Sequence, residues 1–218
     1  MSTPFQRARR PEHKEQRRHD ILEAAATLAR RDGVRPVTLT DIAAEAGVHK
    51  SAVLRYFESR EAVFLQLTAE GWQDWAATVG EVLIEPAPSG DVAAALAGTL
   101  AARPLFCDLL AHAQLNLERG VTRQQVRDFK LTTLEAVDRL ARALTVALPE
   151  LGRERAVDVV AGTTAMAAAQ WQTSNPPENL ALLYAEDPEF AHVATDFSPR
   201  LTRLVALLLS GAASDRQA

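Results

Sequence analysis

The stretch His49-Lys50-Ser51-Ala52-Val53-Leu54-Arg55-Tyr56-Phe57 places an imidazole, an ammonium, a guanidinium and hydroxyls among apolar residues at helical spacing. Val53 and Phe57 keep helical spacing, and His49-Lys50-Ser51 stand at the start of such a helix. Donors gathered at a helix start suit phosphate oxygens and base edges. Nothing else in the chain carries an equally clear chemistry. Cys107 is the single cysteine, which leaves no intrachain disulfide and no cysteine-based metal cage. There is no Cys/His metal cluster, no Gly-rich phosphate loop, no paired-carboxylate pattern and no Gly-x-Ser-x-Gly. The expectation is therefore a protein that is not an enzyme, with neither cofactor nor metal.

Those donors need a scaffold, and the flanking pattern supplies one. From Glu12 to Arg31 the apolar positions Ile21, Leu22, Ala25, Leu28 and Ala29 mark one face of a helix that Gly33 stops. Thr38 offers an N-cap hydroxyl with Asp41 three residues on, opening a short helix that Gly47 ends. A third helix starts after Val48 and closes before the next N-cap, Ser59. Helix, tight glycine turn, helix is the layout of a helix-turn-helix. The fourth helix runs from Ser59 to about Leu83, until Pro86 and Pro88-Ser89-Gly90 stop it.

Further helices are expected at 91–102, 104–117, 122–148, 150–171 and 198–211. Residues 173–197 read as an irregular stretch with one helical turn around Leu180 to Tyr184. Alanine and leucine outnumber the β-branched residues, so the fold class is all-α. With 47% apolar and 24% charged residues, neither a disordered nor a collagen-like chain is tenable. The most apolar stretch, Leu204 to Leu209, is too short to span a bilayer, and the lone cysteine suits a cytoplasmic location.

Charge is divided unevenly. Residues 1–60 hold 12 Lys/Arg against 8 Asp/Glu, whereas residues 61–218 hold 12 against 20. A basic N-terminal third on an acidic body fits a polyanion-binding module joined to a different domain. The densest run, Arg7, Arg9, Arg10, Lys14, Arg17 and Arg18, reads as a flexible arm that tracks phosphates or the minor groove. The resulting division is a basic arm (1–16), a helix-turn-helix domain (17–63), a helical effector-binding and dimerisation domain (64–211) and a flexible tail (212–218).

Over about residues 17–65, a set of ordered positions resembles the N-terminal DNA-binding domain of TetR-type (TetR/AcrR) transcriptional regulators. They are Arg18, Ile21-Leu22-Glu23-Ala24-Ala25, Leu28, Gly33, Thr38, Asp41-Ile42-Ala43, Ala46-Gly47-Val48, Arg55-Tyr56-Phe57 and Ser59-Arg60-Glu61. The resemblance implies a homodimer, usually a repressor, whose third helix enters the major groove of a pseudopalindromic operator in double-stranded DNA. It also implies a C-terminal domain that holds a small-molecule effector and the dimer interface.

Lys50 and Tyr56 carry over as phosphate contacts, Thr38 or Thr40 as backbone clamps, and Arg55 as a contact to phosphate or base, with Ser51 beside them. Arg17 belongs to the same surface. Three positions depart from the family pattern: His49 stands where a small hydroxyl residue is common, Ala52 where Thr or Ser is, and Leu54 where an aromatic is. His49 is thus free to read a base edge, or stands as a plain exposed turn residue.

In the acidic body, Trp72, Trp75, Phe106, His112, Asn116, Phe129, Met166, Gln170 and Trp171 combine aromatics with a few polar groups, as small-molecule cavities do; an ordinary core uses the same types. Val157, Val160, Ala161, Thr164, Ala165 and Ala168 form a small-residue stripe that lets a partner helix approach. Leu201, Leu204, Val205, Leu207, Leu208 and Leu209 make a stripe too wide for one buried face. Together they predict a four-helix interface across a two-fold axis, with packing inside one subunit as the alternative. Two other readings stay open: a DNA-binding regulator whose body binds protein or only dimerises, and a helical enzyme or carrier with a vestigial helix-turn-helix.

Overall fold

A computed structural model describes the backbone of residues 5–190 and 196–214, and side chains within 13–212. All its described elements are helices: α1 (Phe5–Asp32), α2 (Leu39–Glu45), α3 (Lys50–Val53), α4 (Arg60–Val82), α5 (Ser89–Ala101), α6 (Pro104–Ala113), α7 (Arg123–Ala147), α8 (Arg153–Ser174), α9 (Glu178–Glu186) and α10 (Phe197–Ser214), with a 3₁₀ turn at Leu117–Arg119. No single helix among the described residues is long and apolar enough to cross a membrane.

Several boundaries differ from the sequence expectation; α6, expected to reach Leu117, ends at Ala113 with a 3₁₀ turn following, and α8 runs Arg153–Ser174. The proposed arm continues α1 as helix from Phe5, while residues 1–4 and the side chains of Arg7, Arg9 and Arg10 lie outside the described residues. The segment after α8 carries a nine-residue helix, α9, in place of one turn. Its start is explained by Pro177, whose fixed φ suits an N-terminal position and whose following Glu178 favours the first turn. Finally, α10 extends to Ser214, so the proposed tail begins as helix and residues 215–218 lie outside the described set.

The head is built as its pattern dictates. Ile21, Leu22, Ala25, Leu28 and Ala29 of α1 are all buried. Gly33 and Gly47 take φ of +82° and +65°, a region that costs glycine nothing. Val34 and Val37 seal the loop between α1 and α2. Thr38 and Asp41 close a full capping box. α4 then leaves the head, burying Val63, Phe64 and Leu67 near its start and Trp72, Trp75 and Val79 further along.

The body forms around α4. That helix packs on α6 and α7; α8 packs on α6, α7 and α10, and α10 on α5. A second capping box, Thr122 with Gln125, starts α7, and Gly152 at φ +72° precedes α8. α5 and α6 meet at a bend of 88°. Trp72, Trp75 and Phe106 form one aromatic cluster, with ring centroids 5.7–6.2 Å apart, and the Trp75 indole donates to Thr99 Oγ1 at 3.0 Å.

Gly71 lets this cluster close. A Cβ there would stand 2.3 Å from Phe106 Cδ2, inside contact distance. Helix propensity favours Gly71→Ala by about 1 kcal/mol, but overpacking a ring pinned by two indoles costs about 1–3 kcal/mol. The expected net result is destabilisation, read as a lower urea midpoint; an unchanged or higher midpoint would show that Phe106 moves freely.

Candidate nucleic-acid interface and effector site

Helix α3 has four residues and cannot hold itself; its position comes from Val53 and Phe57, 0% and 4% exposed, which anchor it to the head. The chain continues as hydrogen-bonded turns through Phe57, whose N–H donates to the Val53 carbonyl at 3.0 Å. His49, Lys50, Ser51 and Arg55 then lie exposed, together with Thr40 at the start of α2. His49 is the N-cap of α3 by backbone geometry, and its side chain makes no capping bond, so the imidazole is uncommitted. Tyr56 is half-buried and packs on the core beside Phe57.

Two expected contacts are already engaged. The Thr38 hydroxyl donates to Asp41 Oδ2 at 2.6 Å and accepts the Asp41 N–H at 3.2 Å, which leaves Thr40 as the free hydroxyl there. Arg18 turns inward, donating to Gln66 Oε1 at 2.8 Å and lying 4.6 Å over the Phe57 ring. Arg17 is exposed, with its guanidinium 3.6 Å from Asp20.

The effector candidates do not share one cavity. Phe129 lines a cleft of about 260 Å³ with Arg18, Tyr56 and Gln125. Phe106 lines another of about 320 Å³ between α1, α4 and α6. His112 and Trp171 line a third, about 560 Å³, between the Gly33–Pro36 loop and the ends of α6 and α8. Trp72 and Trp75 are buried in the aromatic cluster, and Met166 and Gln170 are half-buried on α8. Asn116 faces solvent beyond the end of α6, where the helix has broken, with Nδ2 3.4 Å from His112 Nδ1.

Besides Gln170, already an effector candidate, the structure adds polar residues that periodicity could not flag. Among the described residues, Thr133 Oγ1, Thr163 Oγ1 and Gln170 Oε1 are buried without a hydrogen-bond partner. Asp108, also buried, accepts the Val34 N–H at 2.7 Å and Gln172 Nε2 at 2.8 Å. Burial pushes its carboxyl up, but the nearby His112 and hydrogen bonds from Val34 and Gln172 outweigh that and hold it below the ordinary carboxylate range. The neighbouring Cys107 thiol is pushed up to about 12, first by burial and then by the Asp108 charge. It is an inert core group.

The proposed interface stripes divide in two. Val160, Thr164, Leu201 and Val205 are buried within the subunit, because α8 and α10 pack on each other. Leu208 closes over Gly162, where a Cβ would stand 2.8 Å from its Cδ2. Ala161, Ala165 and Leu207 stay exposed, and Val157, Ala168, Leu204 and Leu208 are half-buried.

Residues 21–67 match the family described as bacterial regulatory proteins, tetR family, and residues 69–216 match the tetracyclin repressor-like C-terminal domain. The chain belongs to the TetR family. It is thus a DNA-binding transcriptional regulator, as the helix-turn-helix indicates. Over 60 residues it is 38% identical to an uncharacterized HTH-type transcriptional regulator, YfiR, of Bacillus subtilis (strain 168); the match spans 28% of this chain and 29% of that protein. In fold it resembles Thermus thermophilus FadR, a TetR-family transcriptional repressor in complex with lauroyl-CoA, at 19% identity and a TM-score of 0.57, over 89% of this chain and 94% of that one. Bacillus subtilis FadR in complex with stearoyl-CoA is similar at 18% identity and a TM-score of 0.54, over 88% and 98%.

In this TetR-family head, hydrogen bonds from the Thr38 hydroxyl and N–H hold the Asp41 carboxyl below its ordinary range. A group whose folded pKa is lowered adds stability above its unfolded value, about 3.9, and loses it as pH falls through the lower folded value. Wild type should therefore melt above Asp41→Asn at neutral pH, with the gap closing as pH drops below about 4. A gap independent of pH would remove the ionised carboxylate from the cap.

Proposed function

We propose that this TetR-family regulator is a homodimeric repressor that leaves its operator when a small molecule enters the body. The observation that carries the DNA side is the exposed surface that His49, Lys50, Ser51 and Arg55 form around a short segment held by buried Val53 and Phe57. Two such faces in successive major grooves, about 34–36 Å apart, would read a pseudopalindrome. Lys50 and Thr40 clamp phosphates, with the Tyr56 hydroxyl and Arg17 beside them, while His49 and Arg55 reach base edges. The head spans about residues 17–63 and the body 64–211, in a cytoplasmic protein.

The dimer face follows the exposed half of the two stripes: Ala161, Ala165, Val157 and Ala168 of α8 with Leu204, Leu207 and Leu208 of α10. Leu207 is 69% exposed and, with its half-buried neighbours Leu204 and Leu208, offers an apolar surface that a partner helix could cover. For the effector, His112 and Trp171 share one cavity and are the proposed contacts, while Phe129 lines a separate cleft and Met166 and Gln170 line neither. A buried polar group without a partner costs about 1–3 kcal/mol, and Thr133, Thr163 and Gln170 all present one. An occupant with an apolar body and hydrogen-bonding groups would relieve that cost. The acyl-CoA complexes of the two FadR proteins make an acyl thioester the first probe.

A second reading, a body that only dimerises, is favoured by the closed packing of Trp72, Trp75 and Phe106.

Selection of bound genomic fragments with the purified protein would supply the operator, and gel shifts with it test the reading. Binding should fall steeply with salt, and lauroyl-CoA should release the DNA. Lys50→Ala should weaken every site alike and lower the salt slope by about 1. His49→Ala should relax preference at particular base pairs by about 1–3 kcal/mol; a uniform loss would make His49 scaffold, and salt-insensitive binding without a preferred site would end the operator reading. Leu207→Asp should convert a dimer to a monomer by light scattering. A dimer that survives this change places its contact elsewhere.

A further inference from the structure

Val34, in the loop between α1 and α2, is buried, and both of its backbone groups are held by charged side chains. Its N–H donates to Asp108 Oδ2 at 2.7 Å, and its carbonyl accepts from Arg60 Nη2. The same guanidinium donates to the Val37 carbonyl through Nε. Thr38, the next residue, caps α2. Whatever sets this loop therefore sets where the helix-turn-helix begins. Arg60 lies at the head end of α4, whereas Asp108 lies in α6, in the body.

Asp108 is committed on a third side as well. Its Oδ1 accepts Gln172 Nε2 from α8 at 2.8 Å, and His112 Nε2 on its own helix lies 3.6 Å from the same oxygen. Gly33 stands beside the contact, with Oδ2 3.8 Å from where a Cβ would be. One carboxylate thus joins the head loop, α6 and α8. Hydrogen bonds weaken quickly beyond about 3.2 Å, and a buried charge that loses a partner is destabilised. If α6 and α8 shift against each other, Asp108 has to give up either Gln172 or Val34.

We propose that Asp108 is a positioning residue that transmits a change in the spacing of α6 and α8 to the helix-turn-helix through the Val34 amide. The inference rests on the ligand-responsive body of the proposed function. Asp108 touches no DNA; it acts through the loop that Thr38 ends.

The test is amide hydrogen exchange on the full-length protein, comparing wild type, Gln172→Leu, Asp108→Asn and the double variant. Gln172→Leu removes only the donor from α8. It should nonetheless speed exchange at the Val34 amide about tenfold and change operator affinity by about fivefold or more. In the Asp108→Asn background the same change should add less than about twofold, the non-additivity that a shared contact produces. A carboxylate that merely fills the junction would lower the melting temperature on substitution, yet leave Val34 exchange insensitive to Gln172→Leu; that result overturns the proposal.

A lauroyl-CoA titration separates this inference from the function it rests on. Release of wild type from DNA with blunted release of Asp108→Asn supports the coupling, and equal release from both overturns it. Failure to release wild type rejects the acyl thioester as effector, while the exchange measurements still decide the role of Asp108.

Discussion

A helix of four residues has no stability of its own, because nucleation consumes more backbone entropy than one turn of hydrogen bonds returns. The recognition segment exists because Val53 and Phe57 are driven out of water into the head core, at about 1.5–3 kcal/mol each for side chains of this size. That burial orients everything else. Around that anchored pair His49, Lys50, Ser51 and Arg55 lie exposed, His49 because it caps α3 in an extended conformation instead of joining the helix. Specific chemistry on the outside is a by-product of ordinary packing on the inside.

Burial also joins the two halves of the molecule. α4 is anchored in the head by Val63, Phe64 and Leu67 and in the body by Trp72, Trp75 and Val79, so it belongs to both cores. Around it sit polar connections of a different kind: Ser59 donates to the Gly120 carbonyl at 3.0 Å, and Asp108 receives Val34. Apolar contacts slide at modest cost, whereas hydrogen bonds to a buried carboxylate are either made or lost. Under the proposed function, a molecule that responds to a ligand while keeping its fold gains from having both.

Most of the head is legible in the amino-acid sequence itself. Thr38 with Asp41, the glycines at 33 and 47, and the spacing of Ile21 to Ala29 each have a local physical cause, and each element forms where that cause puts it. The body is legible as helices but not as a site. Periodicity says which face of α8 is buried and not whether the cover is α10 of the same subunit or of another, so Val160, Thr164, Leu201 and Val205 carry the pattern of an interface and yet are internal. Asp108 is silent in the sequence for a similar reason: its partners are 74 and 64 residues distant, and no local pattern announces a buried carboxylate. α9 is longer than the expected turn because Asn175-Pro176-Pro177 reads as a breaker, although proline also opens helices.

The buried thiol has a practical corollary. Cys107 is the sole cysteine, fully enclosed, and scarcely ionised at neutral pH with its sulfur donating to the Leu100 carbonyl. Maleimides and other thiolate-seeking dyes would pass it by. A surface cysteine introduced on the turn before α3 would then be the one reactive sulfur per chain, and in the proposed homodimer a pair of such labels would act as a ruler between the two heads without any need to strip the native residue first.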